Sequence, residues 1–171
     1  MESQQLKSLQ APLKARYRDE PEAAMITLRA SSRLGEGVTC KLETGRALVT
    51  AGLHPATGGD GRSACSGDML LEALVACADV TLNAVATALG IELRDARLEA
   101  EGDLDFRGTL GVSKDVRVGF GDIRLRITLD TDASDEDIAT LLRLTERYCV
   151  VYQTLSRPPT LSVGPGPATR E

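Results

Sequence analysis

The stretch ALVACADVTLNAVATALG, residues 73–90, sets one thiol, Cys77, in the middle of an apolar segment. Successive residues of an α-helix are turned by about 100°. On that spacing Leu70, Leu71, Leu74, Ala78, Leu82 and Leu89 fall within one broad apolar arc, with Val75 and Val85 beside them. Glu72, Asp79 and Asn83 lie roughly opposite. Cys77 sits at the edge of the arc, flanked by Ala73, Val80, Thr81 and Ala84. Such small neighbours leave room either for close packing of another helix or for a narrow slot above the sulfur. The segment predicts a helix from about Gly67 to Leu89. Ser66 is its expected N-cap, Asp68 lies near the positive end of its dipole, and Gly90 closes it. Whether Cys77 fills the core or serves as a nucleophile has to be decided by the rest of the chain.

Working outward, LHPATGGDGRSACSGD (53–68) is too rich in Gly, Ser and Asp for regular structure and reads as a loop leading into the helix. It lacks the Gly-Lys-Ser/Thr ending of a phosphate-binding loop. Upstream, AMITLRAS, GVTCKLE and RALVTAG read as three short strands. The middle one alternates Val38, Cys40 and Leu42 on one face, so Cys40 is most simply a strand residue on the packed side. Downstream, residues 92–108 predict a long strand with Leu93, Ala96, Leu98 and Ala100 inward. DVRVGFGDIRLRITLD (115–130) predicts another, with a change of parity at Gly119–Asp122 that a β-bulge would explain. Arg117, Arg124 and Arg126 read as its solvated face. Ser134 followed by Asp137 resembles a capping box ahead of the stripe Ile138, Leu141, Leu142. CVVYQTLS continues as a second helical piece stopped by Pro158–Pro159, and TLSV (160–163) predicts a last short strand. Strands, long helix, long strands, helix and short strand define an α+β fold with antiparallel pairing. The domain divides as an N-terminal arm (1–23), a folded domain (24–163) and a flexible tail (164–171).

The 171 residues suffice for one domain with its own core, and with 3% aromatics that core must rest on Leu, Val, Ile and Ala. A net charge of -5 argues against nucleic acid or an anionic membrane as partner. No stretch approaches the roughly 18 uninterrupted apolar residues of a membrane span. MESQQLKSLQAPLKARYRDE lacks a basic-then-apolar leader, so a cytoplasmic location is expected. Of the four cysteines, Cys40, Cys65, Cys77 and Cys149, none stands in a C-x-x-C pair, and His54 is not placed near any cysteine pair. Neither a metal site nor a bound cofactor is expected.

ACSGDMLLEALVACADVTLNAVA, VGFGDIRLRITL and ERYCVVYQTLS, taken in this order, resemble the OsmC/Ohr family over roughly residues 24–163. In that family one cysteine lies inside a central helix introduced by a glycine-rich loop. A second follows a charged helix, just before a short apolar one. Cys77 and Cys149 match these positions. The resemblance implies an intertwined homodimer, with antiparallel sheets wrapped around the Cys-bearing helices. It also implies reduction of organic hydroperoxides: Cys77 becomes a sulfenic acid, Cys149 resolves it as a disulfide, and an external dithiol restores the pair.

Family peroxidases activate the first thiol with a carboxylate near the start of the helix and an upstream arginine. Here the expected carboxylate position is Gly67, leaving Asp68 and Glu72 as the nearby acids and Arg46 or Arg62 as the candidate cations. Val150-Val151-Tyr152 replaces the Pro-x-Ser that often follows the second cysteine. An ordinary thiol is only a few per cent ionised at neutral pH, so activation requires a nearby positive charge or several donors. The alternatives are a redox-sensing member with little turnover, and a small-molecule-binding protein whose cysteines are core residues. Cys149, at a helix start, is expected to favour the thiolate. Cys65 reads as a loop residue or a third redox thiol, and His54 as a solvated loop side chain.

Overall fold

The computed structural model describes residues 3–34, 40–42 and 51–164, with side chains described over 8–27 and 51–164. In chain order the elements are α1 (Ser3–Asp19), β1 (Met25–Leu34), β2 (Cys40–Leu42), α2 (Ser66–Leu89), β3 (Asp95–Asp105), α3 (Phe106–Thr109), β4 (Phe120–Asp130), α4 (Asp135–Tyr148) and α5 (Val150–Ser156). The described strands form one sheet in the order β2-β1-β3-β4, every neighbour antiparallel. The architecture is α+β, as the order of elements predicts.

β3 alternates as a half-buried strand must, with Ala96, Leu98, Ala100, Gly102 and Leu104 turned into the core. β4 begins at Phe120, later than predicted, because Gly119 adopts a left-handed φ of 103° that breaks an extended run. The expected bulge is present. Asp103 pairs with Asp122 and Leu104 with Phe120, so Gly121 is the extra residue. Gly102 is needed opposite it, because a Cβ there would come within 2.5 Å of the Phe120 ring.

α2 packs on β1 and β3 and against α4 and α5. Its buried face runs through Leu71, Leu74, Val75, Ala78, Leu82 and Ala86, and each buried leucine contributes roughly 1.5–3 kcal/mol. Asp79 and Asn83, placed by the helical wheel opposite the apolar arc, lie instead on the flank of the buried face and engage neighbouring groups. Leu70 and Leu89 are exposed. By length and composition α2 could cross a bilayer, but its leucines pack on the sheet with two polar side chains buried mid-helix, the pattern of a core helix. Gly90 closes α2 with a φ of 70°. The other end is capped by Cys65 in place of Ser66, which is the first helical residue.

Within the N-terminal arm, residues 3–19 form a 17-residue helix. Tyr17 is buried against Leu104, Phe106 and Leu110, and its hydroxyl donates to the Ala56 carbonyl at 2.8 Å. At α4, Ser134 accepts the Asp137 N–H at 3.2 Å and donates to the Asp137 carboxylate at 2.7 Å, completing the predicted cap. TLSV is not a strand: Leu161 and Val163 stand in solvent, and the two prolines ahead of them offer no N–H to a ladder. The GVTCKLE strand is described only over 40–42. RALVTAG lies outside the described residues except for Ala51 and Gly52, Ala51 making an isolated parallel bridge with Ala64. The direction of the Cys40 side chain and residues 165–171 of the tail also lie outside the description.

Candidate functional site

Cys77 comes from the middle of α2, and Cys149 is the single residue between α4 and α5. The chain brings Cys149 to α2 by ending one helix and starting another at the same point. Its N–H donates to the Thr145 carbonyl at 2.9 Å, closing α4. Its Sγ accepts the Tyr152 N–H at 3.4 Å, and its carbonyl accepts the Gln153 N–H at 2.9 Å, opening α5. An extended backbone, φ -70° and ψ 108°, makes the corner.

The two cysteines belong to one core cluster within the chain. Cys149 is 1% exposed and packed in the core, whereas Cys77 is half-buried at the edge of the same cluster. Burial pushes the Cys149 thiol up to about 11. The Tyr152 N–H opposes that shift, while the nearness of Cys77 reinforces it. The expectation that a helix start would favour a Cys149 thiolate is therefore reversed: desolvation outweighs the backbone donors. Cys65, Cys77 and Cys149 are all free thiols. Cys65 lies at the α2 N-cap and packs against the core cluster.

Among the described residues, the candidate activating groups are not assembled around Cys77. Arg62 is 88% exposed on its side chain and faces Asp60 at 3.9 Å, and Arg46 lies outside the described residues. Asp68 stands nine residues before Cys77, about 13 Å away along the helix axis. Burial raises its pKa and the nearby His54 charge lowers it. Glu72 leaves α2 roughly 140° round the helix from Cys77. His54 is not simply solvated: it stacks on Phe106 with ring centroids 5.0 Å apart, and its Nδ1 accepts the Ala56 N–H at 3.0 Å. Among the described residues, no three His, Cys, Asp or Glu side chains gather as a metal site would require.

Two cavities open along β4. One, of about 330 Å³, is bounded by Ala78, Leu142, Glu146, Cys149 and Tyr152 together with the inward side of β4. The other, of about 320 Å³, lies towards Leu74, Phe120 and Arg117. They share Ile123, Leu125 and Tyr152. The Tyr152 phenol is raised by burial and by the nearby Glu146 charge. Arg117, Glu146 and Tyr152 were not legible as site residues. Arg117 read as one of three solvated strand arginines, and only the irregular backbone at 115–119 separates it from them. Arg124 and Arg126 do stay with the sheet, paired to Asp103, Asp122 and Glu101.

The fold is α+β, with one cysteine on its long helix and another at a helix–helix junction. The chain belongs to the OsmC-like protein family, whose profile matches residues 59–164 of its 171. Among solved structures it is similar to an OsmC-like hydroperoxide resistance protein from Jannaschia sp. CCS1. That likeness has a TM-score of 0.59 at 17% identity and covers 82% of this chain and 95% of that one. It is also similar to an OsmC-like protein from Mycoplasma pneumoniae, with a TM-score of 0.55 at 18% identity, covering 78% and 86%. No curated protein sequence matches the chain.

Proposed function

We propose that the protein is a thiol-dependent hydroperoxide reductase with Cys77 as the attacking sulfur and Cys149 as the resolving one. The observation that carries this reading is the asymmetry of the pair: adjacent thiols, one half-open and one sealed with its proton held. The Cys77 thiolate attacks the terminal peroxide oxygen, the O–O bond breaks, and the alkoxide leaves as an alcohol after taking a proton. Cys77 is then a sulfenic acid. Cys149 attacks that sulfur, losing its proton, and water departs as the disulfide forms. An external dithiol reduces the disulfide and becomes a disulfide itself. The Jannaschia protein, described as a hydroperoxide resistance protein, supports the substrate class.

The side of α2 away from the sheet presents Met69, Leu70, Ala73, Val80 and Ala84 uncovered, an apolar face that supports a homodimer built on this helix. A second reading, redox sensing with little turnover, is favoured by Gly67 at the expected carboxylate position and by the outward turn of Arg62. Steady-state assay with cumene hydroperoxide and dihydrolipoamide separates the two. Sustained consumption, abolished in Cys77→Ser, supports the reductase. Disulfide formation after one equivalent without turnover overturns it in favour of sensing.

A further inference from the structure

We infer that the cavity bounded by Arg117, Phe120, Leu125 and Leu155 is a site for reversible binding of a medium-chain aliphatic monocarboxylate, with the carboxylate on Arg117 and the tail along β4. Neither Cys77 nor Cys149 borders this cavity, so the inference goes beyond the two-thiol reading and does not depend on it.

The walls divide by chemistry. Leu74 of α2, Phe120, Ile123 and Leu125 of β4, and Leu155 of α5 supply apolar surface from three elements, and about 320 Å³ is room for a small aliphatic molecule. Arg117 is the cation in that wall, whereas the neighbouring cavity, which shares Ile123 and Leu125, has Glu146 and no cation. The arginines further along the strand are already occupied: Arg124 and Arg126 pair with Asp103, Asp122 and Glu101. Arg117 forms no ion pair among the described residues, and Asp122, the acid of the same wall, is engaged by Arg124 at 2.6 Å.

Backbone packing, not a salt bridge, sets the place of Arg117. A Cβ on Gly108 of α3 would stand 2.5 Å from the Arg117 carbonyl oxygen, so this glycine lets the segment before β4 lie directly on α3. A guanidinium offers a planar carboxylate two parallel N–H donors, and a hydrocarbon tail gains by leaving water for the leucines. Phosphate or sulfate would satisfy the first demand alone, and a neutral alkane the second alone. A ligand with a carboxylate at each end would bring its second charge towards Glu146 in the adjoining cavity. One carboxylate on one apolar chain meets both demands without that repulsion.

The test titrates reduced full-length protein, methyl-labelled at Ile, Leu and Val, with sodium octanoate and with octanamide at low ionic strength. Octanoate is expected to shift the Ile123, Leu125 and Leu155 methyl signals. Octanamide, with the same tail and no charge, is expected to bind about ten-fold more weakly. Arg117→Gln, a change at an exposed position, is expected to abolish that preference, and Arg117→Lys, which keeps the charge, to retain most of it. Added salt is expected to narrow the preference in the wild type. Absence of saturable binding at millimolar octanoate, shifts confined to other methyl groups, or an undiminished preference in Arg117→Gln overturns the inference. No peroxide enters the titration. Octanoate binding in a protein without peroxidase turnover leaves this inference standing while the reductase reading falls, and turnover without octanoate binding does the reverse.

Discussion

Cys149, at the corner between α4 and α5, is buried in the core cluster that Cys77 packs against, and Cys77 itself remains half-buried. An alkylating reagent must therefore discriminate between them. At pH 7.5 iodoacetamide is expected to modify Cys77 at least ten-fold faster than Cys149, with the ratio collapsing in denaturant. Timed labelling with peptide mass spectrometry checks this. Equal rates in the native protein would contradict the sealed position of Cys149.

The same burial has a pH signature. A thiol whose folded pKa is raised binds its proton more tightly in the native state than in the unfolded one. Its stabilising contribution is complete below the unfolded pKa, near 8.5, and is lost as pH rises towards the folded value of about 11. The expected loss is on the order of 2 kcal/mol by pH 11. Urea unfolding of the wild type and Cys149→Ala, compared from pH 7.5 to 10.5, isolates it from the tyrosines. The wild type should lose more stability than the variant across that window.

Resolution by Cys149 predicts where oxidation halts without it. In Cys149→Ser, one equivalent of cumene hydroperoxide should leave Cys77 as a sulfenic acid, trapped by dimedone. Dithiol-dependent turnover should fall by a hundred-fold or more.

Gly102 and Phe120 hold the end of β4 in register. Gly102→Ala sets a methyl group against the Phe120 ring and is expected to cost about 1–3 kcal/mol through overpacking. Chemical denaturation measures it. A neutral result would show that the ring moves aside without loss.

The uncovered face of α2 gives a test of assembly. Val80 is exposed on that face, so Val80→Arg should leave the protomer folded and convert a dimer to a monomer in analytical ultracentrifugation. A dimer that survives this charge would place the interface elsewhere.

Much of this was legible along the chain. β3 declared itself by alternation, α2 by its leucines and Gly90, α4 by Ser134 and Asp137, and the bulge by the parity change near Gly121. These are local signals, each fixed by neighbours within a few residues. Cys77 and Cys149 were paired by resemblance alone, since no local rule reports which distant residues meet. What escaped was set by tertiary contact. Asp79 is buried because of what packs beside it, and Cys149 keeps its proton because of burial that a helix-start rule cannot see. TLSV carries the alternation of a strand, yet no partner strand pairs with it among the described residues.

The corner at Cys149 does two jobs with one atom. Its sulfur is the acceptor for the Tyr152 N–H that starts α5. Drawing that sulfur into a bond with Cys77 takes electron density and position away from the amide, so the opening turn of α5 becomes a gauge of oxidation state. Deuterium uptake at Tyr152 should therefore quicken in the oxidised protein while the body of α4 stays protected, giving an optical-probe-free readout of the thiol pair.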